Sequence, residues 1–158
     1  MIIAHITVAA VIEHEGRFLL VEEQGEGEDL VFNQPAGHVE AGENLLAAVV
    51  REVNEETGHH FVPLGIVGMY LYTSPLNGVT YHRTTFYGTV SDPDAVLPHS
   101  APEVKASHWL SLDDIKTRRR AHRSPMVLRG IEDYLNGQRY SLQAVTTLTS
   151  EAPAPTVV

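Results

Sequence analysis

Apolar residues fall in short runs rich in Val, Ile and Leu, separated by Gly, Pro and acidic clusters, which is the pattern of a chain that mixes strands with a few helices. Residues 2–12 and 17–23 are two such runs. They flank "EHEG", a polar break in which Gly16 is able to take positive φ, and so predict a β-hairpin. After the acidic loop "EQGEGED", the stretch "LVFNQPAGHVE" predicts a short extended piece broken by Pro35 and Gly37. A helix over residues 43–57 follows, stopped by Gly58 in the position where left-handed geometry suits glycine. Residues 62–72 and 80–90 return to β pattern around the turn "SPLNG". Beyond a Pro-punctuated loop at 91–103, "VKASHWL" predicts one more strand.

Two helices close the pattern. The first is capped by Ser111 with Asp114 three residues on. The second starts at Ser124-Pro125, carries Val127, Leu128, Ile131, Tyr134 and Leu135 on one face, and ends at Asn136-Gly137. From Ser141 onward there is no helical period and two prolines stand near the end, so one domain over 1–140 with a mobile tail over 141–158 is expected. Strands mixed with a few helices imply an α/β layered fold with a mixed sheet.

Composition narrows the partners. With 158 residues, 43% hydrophobic and 20% charged, the chain is of globular type and one core is expected. A net charge of -9 argues against an extended nucleic acid as partner and leaves small phosphorylated ligands open. There is no cysteine, so a disulfide scaffold, a thiolate metal site and a cysteine nucleophile are all excluded, which fits a cytoplasmic location. The opening "MIIAHITVAAVIEHEG" has no basic leader and is interrupted by His5, so a buried strand is expected there rather than a secretory signal, and no run is long enough for a membrane span.

Chemistry concentrates in "AGHVEAGENLLAAVVREVNEETGHH", where Glu40, Glu43, Glu52, Glu55 and Glu56 are opposed only by Arg51. On an ideal helix Leu46, Val49, Val50 and Val53 gather on one side, and Glu52, Glu55 and Glu56 on the adjoining one. A solvated acidic face is the ordinary reading of such a run. Against it, the like charges repel at i,i+3 and i,i+4, they crowd the helix end that disfavours negative charge, and "QPAGH" lets a main-chain carbonyl approach the same space. Several carboxylates and a carbonyl suit a hard divalent cation such as Mg²⁺, which can bridge carboxylate and phosphate and activate water. Those features point to a hydrolase site.

The same residues resemble a known signature. Gly37, Glu43 and "REVNEETG", at their spacing, match the Nudix box G-x5-E-x7-R-E-U-x-E-E-x-G-U (U aliphatic) at every fixed position except the last, where His59 stands for the aliphatic residue. The resemblance implies an α/β/α sandwich and Mg²⁺- or Mn²⁺-dependent hydrolysis of a nucleoside diphosphate linked to another moiety. It implies Glu52, Glu55 and Glu56 as metal ligands, with one of these or a nearby glutamate assisting water. Arg51 would orient them, Glu43 would support Arg51 or the metal shell, and Gly37 would supply a carbonyl. Glu103, six residues ahead of Trp109, matches the place from which several members draw a further acid.

"NQPAGHVEAGE", Arg83 in "YHRTTFYGTV" and "RSPMV" are similar to a phosphatase subgroup of that family. This second likeness implies release of orthophosphate from nucleoside tri- and diphosphates, and action on hydroxymethylpyrimidine and thiamine diphosphates. Gln34, His38, Arg83 and Arg123 are then the candidate substrate residues, since guanidinium groups match phosphate oxygens bidentately. A Nudix enzyme for ADP-ribose or a dinucleoside polyphosphate, and a nucleotide sensor without turnover, are the alternatives. Most of Tyr70, Tyr72, Tyr81, Phe86 and Tyr87, together with Trp109, are expected in the core, and "KTRRRAHR" at a solvated helix end. A monomer or a homodimer is expected.

Overall fold

A computed structural model describes residues 1–148. Strands β1 (Ala4–His14) and β2 (Arg17–Gln24) form the predicted hairpin, with Glu15 and Gly16 both at positive φ, as a tight two-residue turn between twisted strands requires. β3 (Leu30–Asn33) and β4 (Ala36–His38) divide the third extended piece at Pro35, and each half pairs with a different strand. β5 (Phe61–Thr73), β6 (Thr80–Val90) and β7 (Val104–Ser111) complete a mixed sheet. Its order is β3-β2-β1-β6-β5, with β4 on β1 and β7 on β2; β1 and β6 run parallel, the other pairs antiparallel.

Helices cover both faces, giving an α/β/α sandwich. α1 (Leu45–Thr57) lays Ala48, Val49 and Val53 on Val8, Ala10, Ile12, Phe61 and Phe86. On the other side α3 (Met126–Leu135) sets Val127, Leu128 and Ile131 against Val11, Phe18 and Val67, joined by Ile115 of α2 (Leu112–Thr117). The two clusters put apolar layers on opposite faces of one sheet, as a mixed sheet buried on both sides requires.

Several details depart from the sequence pattern. α1 begins at Leu45 rather than 43, with Asn44 Oδ1 accepting the Ala47 N–H at 2.8 Å. Its buried side includes Glu52 and Glu56 beside Val49 and Val53, while Leu46 and Val50 are only partly covered, so those two glutamates point into the protein instead of from an adjoining face. The capping box of Ser111 and Asp114 is present, and Ser124 Oγ accepts from the Met126 N–H at 3.2 Å ahead of α3. The expected tail opens with packed residues, Leu142 and Val145 against the α1-side cluster, and just ahead of it Tyr140 exchanges two 2.8 Å backbone bonds with Ile66. Residues 149–158 of that tail lie outside the described residues. Basic residues 116–123 do not form one patch, since Arg118 stands over the Phe32 ring and Arg123 turns toward Glu23.

Candidate active site

The site is built where β4 runs between β1 and α1. Gly37 faces the helix so closely that a Cβ there would overlap the carboxylate of Glu52. This contact explains the glycine, which allows close approach where no turn demands it. One turn on, Glu56 is buried and its Oε2 accepts the Ala36 N–H at 3.0 Å. Burial pushes the Glu56 carboxyl well above the usual carboxylate range, and the charges of Glu23, Glu52 and Glu103 push it the same way. Glu52 is raised too, first by burial, with Arg51 opposing.

Arg51 gathers the acids. Its Nε and Nη2 donate to the two oxygens of Glu43 at 2.7 and 2.9 Å, and its Nη1 reaches Glu52 at 2.8 Å and Glu55 at 3.2 Å. Nη2 also donates to the His38 carbonyl at 2.9 Å, which fixes the loop ahead of the helix to the helix itself. The bidentate bond holds Glu43 below the usual carboxylate range. Loop 98–101 closes the far end, where the Ser100 and Ala101 N–H groups both donate to Glu55 O at 2.9 Å. Two residues beyond it stands Glu103, whose side chain is exposed and whose charge is felt by Glu23, Glu52 and Glu56.

A second polar cluster adjoins the first. Glu23 is buried, accepts from Asn33 Nδ2 at 3.0 Å and from Arg123 Nη1 at 3.4 Å, and is raised chiefly by burial. Asn33 Oδ1 and Gln34 Oε1 in turn face Arg83, each at 3.4 Å. Arg83 is buried, its Nε has no partner among the described residues, and burial lowers it to about 10. Gln34 spends its donor on Val127 O at 2.6 Å, so it reaches Arg83 and not open space. Arg123 is half-exposed and also donates to Gln24 O at 2.9 Å.

Sequence reading gathered Gly37, Arg51, Glu52, Glu55 and Glu56 from their spacing, and the fold brings all five together. It missed Glu23. Strand alternation could not flag it, because Phe18, Leu19, Leu20 and Val21 are all buried and the β2–β7 register shifts between Glu22 and Glu23. The aromatic expectation held for Phe86, which is core, while Tyr81 instead stacks at the surface with His5 and His38. His59, at the aliphatic position of the box, is buried with no partner for its Nδ1 among the described residues and is held below its usual value by burial.

The donor chemistry suits a hard divalent cation: two buried, mutually repelling carboxylates one helical turn apart, with Glu55 beside them and the Gly37 backbone packed against Glu52. Among the described residues no three acidic or imidazole groups already stand in a chelating arrangement.

A family model, described as the NUDIX domain, matches residues 3–129. The chain belongs to the Nudix family. It is 37% identical over 141 residues to the phosphatase NudJ of Escherichia coli strain K12, covering 89% of this chain and 90% of that protein. A NUDIX hydrolase from Nitrosomonas europaea superposes with a TM-score of 0.85 at 44% identity, covering 92% of this chain and 98% of that one. The MutT protein from Methanosarcina mazei Go1 follows the same fold with a TM-score of 0.67 at 26% identity, over 86% and 96% of the two chains. The protein is therefore a Nudix hydrolase and a homologue of NudJ. No helix among its described residues is long and apolar enough to cross a membrane.

Proposed function

We propose that this Nudix hydrolase is a cytoplasmic, Mg²⁺-dependent phosphatase that cleaves phosphoanhydride bonds of nucleoside tri- and diphosphates and of small pyrimidine or thiamine diphosphates, releasing orthophosphate. The observation that carries it is the presence of two buried glutamates together with a buried arginine that, among the described residues, has no carboxylate partner. A buried guanidinium held only by 3.4 Å bonds to neutral amides is under-compensated, and an anion of the substrate supplies what is missing.

Glu52, Glu55, Glu56 and the Gly37 carbonyl are the residues to hold Mg²⁺, with Mn²⁺ able to replace it. When bound, the metal supplies Lewis-acid stabilisation of phosphoryl charge and a lowered pKa for water. Arg51, with Glu43 behind it, positions the three helix carboxylates. Glu56 or Glu103 takes the proton from the attacking water as the phosphorus–oxygen bond to the bridging oxygen breaks. Arg83, fixed through Gln34 and Asn33, binds the phosphoryl group, and Arg123 meets the phosphate chain from the rim. His38 lines the approach.

Product identity tests this reading. A nucleoside triphosphate, a nucleoside diphosphate and hydroxymethylpyrimidine diphosphate are each incubated with the protein in Mg²⁺, and orthophosphate is measured against pyrophosphate. Orthophosphate from all three is expected, and its loss in Glu55→Gln and Glu56→Gln. Pyrophosphate from the triphosphate, or dominant turnover of ADP-ribose or a dinucleoside polyphosphate, overturns the phosphatase reading; tight binding without turnover under any divalent metal overturns the enzyme reading altogether.

A further inference from the structure

The sheet face opposite α1 carries two rows of paired side chains. His38, Thr7, Arg83 and Tyr70 stand opposite one another on β4, β1, β6 and β5; His5, Tyr81 and Tyr72 form the next row on β1, β6 and β5. Paired residues share a face, and with strands about 4.8 Å apart the first row spans about 14 Å from the glutamate side of the sheet to its edge.

At the glutamate end the rings form one cluster. His5 lies 5.0 Å from His38 and 5.6 Å from Tyr81 in edge contacts, His38 lies 6.3 Å from Tyr81, and His5 Nδ1 is 2.9 Å from His38 Nε2. Among the described residues none of the three belongs to a hydrophobic core cluster, and His5 and His38 are exposed. The rim is fixed as well: Asn77 Nδ2 donates to Tyr81 Oη at 3.1 Å and to Glu26 at 3.2 Å, and Glu26 lies 3.6 Å from Arg123. Aromatic surface, ordered by neighbours but covering no core, thus adjoins the buried Arg83.

We propose that the Tyr81 ring, braced by the steeply tilted rings of His5 and His38, is a stacking shelf that seats the flat heterocyclic ring of the substrate, its phosphate chain passing Arg83 toward Gly37 and the glutamates. The inference rests on the hydrolase reading above and adds the part of the molecule that holds the ring. Stacking on a π-face is available to any aromatic ring, so this shelf accepts purines, pyrimidines and smaller heterocycles alike. A groove of about 660 Å³ between β5 and α3, lined among others by Tyr70, Met126, Arg129 and Gln138, is the competing seat. Its polar groups are already engaged: Asp133 accepts from Tyr70 at 2.8 Å, from Arg129 at 2.9 and 3.0 Å and from Gln138 at 3.3 Å.

The test compares KM for a nucleoside diphosphate with KM for inorganic tripolyphosphate, which has no ring. Tyr81→Leu is expected to raise the ratio of the two about tenfold, the size of one base–aromatic contact, and His5→Leu to raise it in the same direction. Tyr81→Phe restores it to within about twofold, and Gln138→Ala, in the groove, leaves it unchanged. An equal change for both substrates in Tyr81→Leu, or a ratio that moves with Gln138→Ala instead, overturns the shelf. Calorimetric binding of a methylene-bridged nucleoside diphosphate separates the two readings. If the wild-type chain hydrolyses nothing, the hydrolase reading fails alone, and the shelf stands or falls on whether Tyr81→Leu weakens this binding.

Discussion

Glu56 and Glu43 are both bound into the same network, yet their environments push them in opposite directions. Glu43 has a bidentate guanidinium and is favoured as an anion; Glu56 has one backbone N–H, deep burial and three carboxylates for neighbours. Its charge therefore destabilises the metal-free fold, a cost that the proposed role of the charge would explain. Glu56→Gln keeps the shape and the acceptor for Ala36 while removing the charge. Turnover is expected to fall at least about 100-fold, the low end for loss of a general base or a metal-bound carboxylate. Metal-free Tm is expected to rise by about 2–4 °C, the shift that about 1 kcal/mol produces in a domain of this size. Steady-state kinetics and thermal melts on one preparation check both, and a variant that loses activity and stability together would mark Glu56 as a structural residue instead.

At the scale of elements, the site depends on how tightly β4 is held between β1 and α1. β4 is paired to β1 at Thr7, Val8 and Ala9 and tied to the helix through Arg51 and Glu56, so it has little room to retreat. Gly37→Ala places a methyl group where the Glu52 carboxylate lies. The expected result is a loss of about 1–3 kcal/mol in urea melts, the usual cost of overpacking, together with a drop in Mg²⁺-dependent turnover; wild-type stability and turnover would show that the contact is not needed. Much of this element was legible from residues alone: Gly58 ends α1 at φ 75°, Ser111 and Asp114 form their box, and the glutamate spacing survives intact. What the sequence did not reveal depends on tertiary partners. The helical period cannot say that Glu52 and Glu56 lie on the buried side, because polar residues are assigned outward until a partner such as Gly37 is known to face them. Nor can it say that Asn33 joins Glu23 to Arg83, since those three residues come from three strands whose register is set only when the sheet forms.

Across the whole molecule, a Mg²⁺ ion held as proposed would compete with protons for one set of buried charges. Glu23, Glu52 and Glu56 are raised in the folded state, so below their folded values the native chain binds more protons than the unfolded one, and stability is gained as pH falls through that window toward the usual carboxylate range. His59 and His122 are lowered by burial, so the unfolded chain takes up the extra protons below about 6.5 and stability is lost there as pH falls. The two groups oppose each other in metal-free protein. Mg²⁺ held as proposed would bind Glu52 and Glu56 deprotonated and only in the folded chain, so it would stabilise most where they are charged. The difference in Tm between saturating Mg²⁺ and a chelator is therefore expected to be largest near pH 8 and to shrink steadily toward pH 5, while the histidine contribution is the same with and without metal and cancels in the difference. In Glu56→Gln the pH 8 difference should already be reduced. Melts at pH 8, 7, 6 and 5 decide the matter, because a Mg²⁺ effect that is independent of pH would place the cation away from these glutamates.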